Sequence, residues 1–334
     1  MRISLERLRR LATALLEARG ASPANAHLQA DLLLEAELRG LPSHGLQRLP
    51  LLLSRLEKGL ADGRTYGTGT WRRRSFLSID GERGLGPVVM MRAMDTIRPV
   101  LSETGIAIAA IRDANHMGML AYYAEAAARS GLIGIVMSTS EALVHPFGGT
   151  QALLGTNPVA IGIPASDRPF VLDLATSIVS MGKINNHAMR GAPIPSDWAV
   201  DAQGFPTTDP HAAKSGAIAP FGGAKGYGLG LAIELLVAAL AGSDLAPDVH
   251  GTLDDIHAAN KGDLLILIDA ASGHGNARSL AAYLDHLRRS PASDPEKPVA
   301  VPGDGARRRR IAAENAGIEL PQQLLESLLA LEAA

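Results

Sequence analysis

The chain has 334 residues, 46% of them hydrophobic and 20% charged, which is enough apolar material for a sizeable core and, by length, about two domains. A formal net charge of −2 with no strongly basic domain argues against nucleic acid as the main partner. There are no cysteines, so disulfides, thiolate nucleophiles and cysteine zinc sites are excluded together, and the composition fits a cytoplasmic protein.

At the N-terminus Leu5, Leu8, Ala12 and Leu15 recur at helical spacing. Glu6, Arg7, Arg9 and Arg10 interrupt any secretion-signal core, so the segment reads as an amphipathic helix. A second helix starts at Ser22-Pro23, where serine caps free amides and proline suits the first turn, and it ends near Gly40. A third follows the Ser43-His44 turn and stops near Gly59. These helices predict a helical subdomain over about the first 60 residues. The pattern then changes: "GTWRRRSFLSID" and "GIAIAAIRDA" have strand character, and "NHMGML" leads into a helix through "AYYAEAAARS". "LIGIVMSTS", "AIGIP", "PFVLDLATS" and "DLLILIDA" are further strands between Gly/Pro turns such as "HPFGG" and "LGTNP". "GLGLAIELLVAALAG" carries Glu234 and reads as a buried helix, too short for a bilayer span, so no membrane is expected. "SLAAYLDHLRR" forms another helix, and two short ones close the chain after a Pro-, Asp- and Arg-rich loop.

Two histidines sit in glycine-bearing turns that follow regular elements. His44 lies between Pro42 and Gly45, with Arg48 four residues further on. His116 lies in "DANHMGML", where a strand ends, a helix begins and free amides point at ligands. Imidazole suits proton transfer near neutral pH, and a guanidinium at Arg48 suits a bidentate grip on a carboxylate. Each residue also has a plain reading as a surface turn residue. Lys225 in "GGAKGYGLGLAIELL" stands at a Gly-rich helix start, either an anion site or a tight turn with glycines for close packing. The basic run at residues 307–310 is either a solvated helix start or an anion contact. No G-x-G-x-x-G follows a strand and Walker A is absent, so a dinucleotide requires another fold. The scattered histidines, without H-E-x-x-H, argue against a metal. A serine-hydrolase reading of Ser43-His44 is disfavoured, because adjacent residues in one turn rarely aim at each other and no G-x-S-x-G elbow exists.

Taken together, "SHGLQRLP", "NHMGMLAYYAEAAARSGLIGIVMSTS", "PFGGTQALLGTNPVAIGIP", "FVLDLATSIVSMGKI" and "PFGGAKGYGLGLAIELL" resemble, in order, the malate/L-lactate dehydrogenase family that lacks a Rossmann domain. The likeness spans residues 35–317. It implies an α/β (α+β) fold with a largely antiparallel central sheet over 76–304, and a helical subdomain at 1–75 completed by 305–334. It implies a homodimer with the active site in a cleft between the subdomains. It also implies NAD or NADP, no metal, and hydride transfer between nicotinamide and a small 2-hydroxy acid or 2-oxo acid. By resemblance His116 is the proton donor and acceptor, His44 and Ser43 are its catalytic neighbours, and Arg48 takes the substrate carboxylate. Thr156, Met181 and Gly182 match substrate-side positions. His116, Met117, Gly118, Met119, Leu120, Ser140, Asp173, Leu174, Ala175, Lys225, Gly226, Gly303, Arg307 and Arg310 match the cofactor side. Cyclic-imine reductases of the family carry an acidic residue where this chain has Met181-Gly182-Lys183, which favours the hydroxy-acid branch. "LVHPFGG", with His145, is most similar to the sulfolactate-type members, whose substrate carries a second anion.

Overall fold

Two serines start the fold. In the computed structural model, which describes residues 2–166 and 168–333, strand β1 (Arg2–Ile3) leads into helix α1 (Leu5–Ala18), where the Arg7 amide donates to Ser4 Oγ. Ser22 caps α2 (Pro23–Leu38) in the same way, with Pro23 in its first turn. Gly40 then turns the chain at a φ of +71°, a left-handed conformation that suits a residue without Cβ. Two single 3₁₀ turns, Pro42–His44 and Leu46–Arg48, carry it into α3 (Leu49–Glu57).

The sheet portion begins with β2 (Thr68–Arg73), β3 (Phe76–Asp80), α4 (Gly86–Ile97), α5 (Leu101–Thr104) and β4 (Ile106–Arg112). It continues through α6 (Ala121–Arg129), β5 (Leu132–Ser138), β6 (Val159–Ile163) and β7 (Phe170–Leu174). Then come α7 (Met181–Met189), β8 (Ala199–Val200), α8 (Pro210–Lys214), β9 (Ala217–Ile218) and α9 (Ala224–Ala241). The chain ends with β10 (Gly262–Asp269), α10 (Ala277–Arg288), α11 (Asp304–Ala316), β11 (Ile318–Glu319) and α12 (Gln322–Ala333).

Seven strands form one sheet in the order β2-β3-β4-β10-β5-β6-β7, and only the β3–β4 pair is parallel. This is the expected mixed α/β architecture with a mostly antiparallel sheet. β10 lies at its centre, with Leu265 opposite both Ala109 and Val136. Side chains alternate between the faces, so Ala109, Leu265 and Leu267 pack with α4 and α6, while Ala110 and Leu264 pack with α9. A separate helical core joins α1, α2 and α3 to α12 and to Ile3 and Ile318 of the paired strands β1 and β11. A fourth cluster, including Val144, Leu154, Ile184, Ile194 and Ile218, holds the lobe around α7, α8, β8 and β9.

The structure departs from expectation in four places. "GTWRRRSFLSID" is a hairpin of two strands, turning between Arg73 and Phe76, and not one strand. Its first strand belongs to the sheet, so the boundary expected at residue 75 falls too late. Helices α4, α5, α7 and α8 were not expected as helices. Finally, α9 is not fully buried: Ile233, Glu234 and Val237 face inward, but Leu229, Leu235 and Leu236 are exposed. By length and composition α9 is apolar enough to cross a membrane, although its central Glu234 is buried within the fold and hydrogen-bonded there.

Candidate active site

The two 3₁₀ turns after α2 present three polar side chains: His44 and Arg48 line a pocket, and Ser43 lines the cleft beside it. Ser43 Oγ and His44 Nδ1 are 3.1 Å apart, so the adjacent pair does aim at itself, contrary to the sequence expectation, because the tight turn brings both side chains to one side. Gly45 separates this turn from the next, which carries Arg48. From the sheet side, the loop after β4 brings in His116, whose ring centroid lies 5.7 Å from that of His44. His44, Arg48 and His116 line a pocket together with Asn115, Thr252 and leucines of α2 and α3.

The environment of each group follows from its neighbours. Gly118 N–H donates to His116 Nδ1 at 2.9 Å, so in the neutral ring the proton resides on Nε2. Burial, then Arg48, His44 and Lys261, hold His116 well below the ordinary histidine range. His44 is pulled down to about 4, by burial first and then by Arg48. Arg48 lines the pocket and donates one hydrogen bond to the Thr252 carbonyl, its other donors having no partner among the described residues. Burial lowers Arg48 too, opposed by the Glu141 carboxylate. Glu141 also accepts the Thr252 and Leu253 amides at 2.6 and 3.0 Å, which fixes the loop that Arg48 touches.

Several of these supports escaped the sequence reading. Arg55 is buried and donates to Asn115 Oδ1 at 2.8 Å and to the Asp254 and His257 carbonyls. Asn115, next to His116, donates onward to the Arg83 carbonyl at 2.6 Å. The available signal was spacing: Arg55 follows Arg48 by two helical turns, which puts both on one face.

A larger cleft, with a cavity volume of about 890 Å³, adjoins the pocket, and His44 and Gly118 border both. Of the residues expected on substrate or cofactor, Ser43, His44, Gly118, Met119, Leu120, Thr156, Asp173, Leu174, Ala175, Gly303, Arg307 and Arg310 line this cleft. Asp173 accepts the Ala121 amide at 2.8 Å at the start of α6, and burial pushes it up to about 6 against the pull of that contact and of Arg39. Ser140 stands behind Thr156, accepting its amide at 3.1 Å. Met117 is buried, with its carbonyl receiving the Tyr123 hydroxyl at 2.6 Å. Gly182, in the first turn of α7 beside Met181, abuts Ser43; a Cβ there would lie 2.6 Å from Ser43 Cβ.

The structure does not bring Lys225 and Gly226 onto this cleft. Lys225 is exposed at the start of α9, and Gly226 packs so closely on Phe221 that a Cβ would meet its carbonyl at 1.9 Å, which fits the close-packing alternative for that glycine. His145 is also elsewhere, with Nδ1 2.9 Å from the Pro146 carbonyl. Among the described residues no group of three or more metal-binding side chains converges.

Arginines dominate the far side of the cleft: Arg39, Arg129, Arg307, Arg309 and Arg310. Arg310 and Arg39 share Glu35, at 2.7 and 3.1 Å, and Arg39 also meets Glu125 at 2.7 Å. A cavity of this size is at the upper end for small-molecule sites, and its guanidinium rim suits an anionic ligand with a pyrophosphate. Two buried histidines and an arginine beside a large, arginine-rimmed cleft, in a fold without a Rossmann unit, fit the oxidoreductase class.

The comparisons with known proteins agree. The family described as malate/L-lactate dehydrogenase matches residues 3–329, and the chain belongs to that family. It is 37% identical to malate/(S)-sulfolactate dehydrogenase of Methanothermus fervidus, over 98% of this chain and 96% of the relative. It is 35% identical to a delta(1)-pyrroline-2-carboxylate reductase of Burkholderia multivorans, over 98% and 97% of the two chains. A solved dehydrogenase from Sinorhizobium meliloti superposes with a TM-score of 0.97 at 77% identity, covering 99% of this chain and 98% of the other.

Proposed function

We propose that this protein transfers a hydride between NAD or NADP and a small 2-hydroxy acid or 2-oxo acid of the malate, lactate or sulfolactate kind. The observation that carries this reading is the shared border: His44 and Gly118 line both the histidine pocket and the arginine-rimmed cleft. A nicotinamide held in the cleft supplies the hydride. Arg307, Arg310 and Arg39 are suited to its phosphates, and Thr156, Asp173 and Ala175 to the part nearer the histidines. In the pocket, Arg48 binds the substrate carboxylate through its open donors. His116 gives a proton to the carbonyl oxygen during reduction and takes it from the hydroxyl during oxidation. His44, tied to Ser43, orients the oxygen and shares the proton network. The absence of an acidic side chain at residues 181–183, against the Ser-His turn, supports hydroxy acids over cyclic imino acids. We also propose a homodimer.

The test is a spectrophotometric panel of 2-oxo acids and cyclic imines with NADH and NADPH. Turnover of 2-oxo acids above imines is expected. Failure to bind either reduced cofactor, measured by fluorescence, sinks the reading. Activity that needs no cofactor and is lost on chelation supports a metal-dependent hydrolase instead.

A further inference from the structure

Beneath the Ser-His turn lies a carboxylate with no place in the chemistry above. Glu37 sits near the end of α2, and its Oε1 accepts the Leu46 amide at 2.7 Å. Leu46 opens the 3₁₀ turn that carries Arg48, and that turn has no capping side chain of its own, because Gly45 occupies the cap position. Glu37 supplies the missing acceptor from another element. The fit is close: a Cβ on Gly45 would lie 2.2 Å from Glu37 Oε1 and 2.6 Å from its carboxyl carbon. With a φ of −97° Gly45 makes no left-handed turn, and what it supplies here is space for the Glu37 carboxyl group. His44 precedes this point and Arg48 follows it, so one anchored step in the chain sets both.

The carboxylate is expensive. Burial pushes Glu37 up to about 7, opposed only by the Leu46 amide. A buried acid without a cation is a poor source of stability, since an apolar side chain would avoid the desolvation cost. Resting on the function proposed above, we propose that Glu37 is a positioning residue: seated between the Leu46 amide and the bare Cα of Gly45, it sets how His44 and Arg48 enter the pocket.

Five variants test this: Glu37→Gln, Glu37→Asp, Glu37→Ala, Gly45→Ala, and Gly45→Ala combined with Glu37→Ala. Glutamine keeps an acceptor at the same reach and should hold kcat/KM within about threefold of wild type. Aspartate is one methylene too short and should lower kcat/KM by about ten- to a hundredfold, in both the oxo-acid KM, read through Arg48, and kcat, read through His44. Cofactor affinity should stay unchanged in each. Gly45→Ala displaces the carboxylate from its seat, so its loss and that of Glu37→Ala should not add in the double variant. Oxamate binding, measured by calorimetry without turnover, reads Arg48 placement independently and should weaken in the aspartate variant. If wild type binds oxamate but reduces no oxo acid, the function falls while this readout still judges Glu37. Wild-type kinetics and oxamate affinity in Glu37→Asp, additive losses in the double variant, or a parallel loss of cofactor affinity each overturn the proposal.

Discussion

His116 keeps its Nδ1 lone pair engaged by the Gly118 amide, which leaves Nε2–H as the only donor of the neutral ring. An imidazolium would set Nδ1–H against Gly118 N–H and add a third positive charge near Arg48 and Lys261, so the neutral form dominates in the free enzyme at neutral pH. The sign for the reaction follows. Reduction needs the protonated ring, so its kcat/KM should fall about tenfold per pH unit through the neutral range; oxidation uses the neutral ring and should be flat there, declining only in acid. A substrate carboxylate on Arg48 cancels one of the depressing charges, so the kcat profile for reduction should lie to the alkaline side of the kcat/KM profile. A kcat/KM for reduction that is flat or rising with pH assigns the proton elsewhere. His116→Ala should lower kcat by about 10²–10⁴-fold with cofactor affinity nearly intact, and adding His44→Ala should cost less than the sum of the two. Full activity in His116→Ala with none in His44→Ala exchanges their roles. Arg48→Ala should chiefly raise substrate KM, and Arg48→Lys should recover it only in part, since an ammonium cannot reproduce a bidentate fork. Unchanged kinetics in both return Arg48 to a structural part. These residues were legible because each stands in a glycine-marked turn. Glu37, Arg55, Asn115 and Glu141 were not read, because most of their partners are backbone groups that only the folded chain brings beside them.

Helices α2 and α9 show what can be read at the level of an element and what cannot. Ser22-Pro23 marks the start of α2, and Gly242, at a φ of +70°, closes α9, both by local chemistry. Helix α4 was missed although Pro87 stands in its first turn, because "GPVVMMRAMDTI" is apolar on most sides and lacks a capping side chain. The 3₁₀ turns are too short for any periodicity. Within α9, Glu234 was noted only as an interruption of an apolar run. In the structure its Oε2 accepts the Gly155 amide at 3.2 Å and Asn157 Nδ2 at 2.6 Å, while Oε1 accepts the Ala246 amide at 2.5 Å. Thr156 lies between the first two partners, so this helix holds the loop that lines the cleft. Glu234→Leu leaves buried amides unpaired at about 1–3 kcal/mol each. The melting temperature should drop by several degrees and cofactor affinity should weaken with it. An unchanged melting temperature removes Glu234 from this role.

At the scale of the whole molecule, the strands of the central sheet were legible apart from the β2–β3 hairpin, but their order was not, since β10 reaches the sheet centre only after the long excursion through α7 and α9. Nor could the residue pattern alone return the C-terminus to the first helices; that placement came from family resemblance, and here it rests on β1 pairing with β11 and on the Arg310–Glu35 ion pair. The molecule also leaves apolar surface that its own chain does not cover. The outward side of α9 exposes Leu229 at 42%, Leu235 at 52% and Leu236 at 41%, while the opposite side is packed on the sheet. Leu229 and Leu236, seven residues apart, share one line of the helix and Leu235 lies beside Leu236, together an apolar patch of the kind that association covers. A two-fold interface places the same helix on both copies, so each leucine face meets its equivalent. Sedimentation should therefore give a species of twice the 34.9 kDa chain mass. Leu235→Lys with Leu236→Lys should shift it to a single chain, since burying two ammonium groups on each side of the two-fold costs more than the apolar contact returns. Because α9 also carries Glu234, the separated chain should lose cofactor affinity along with its partner. A wild-type chain that sediments alone, or a lysine variant that still pairs, removes α9 from the interface.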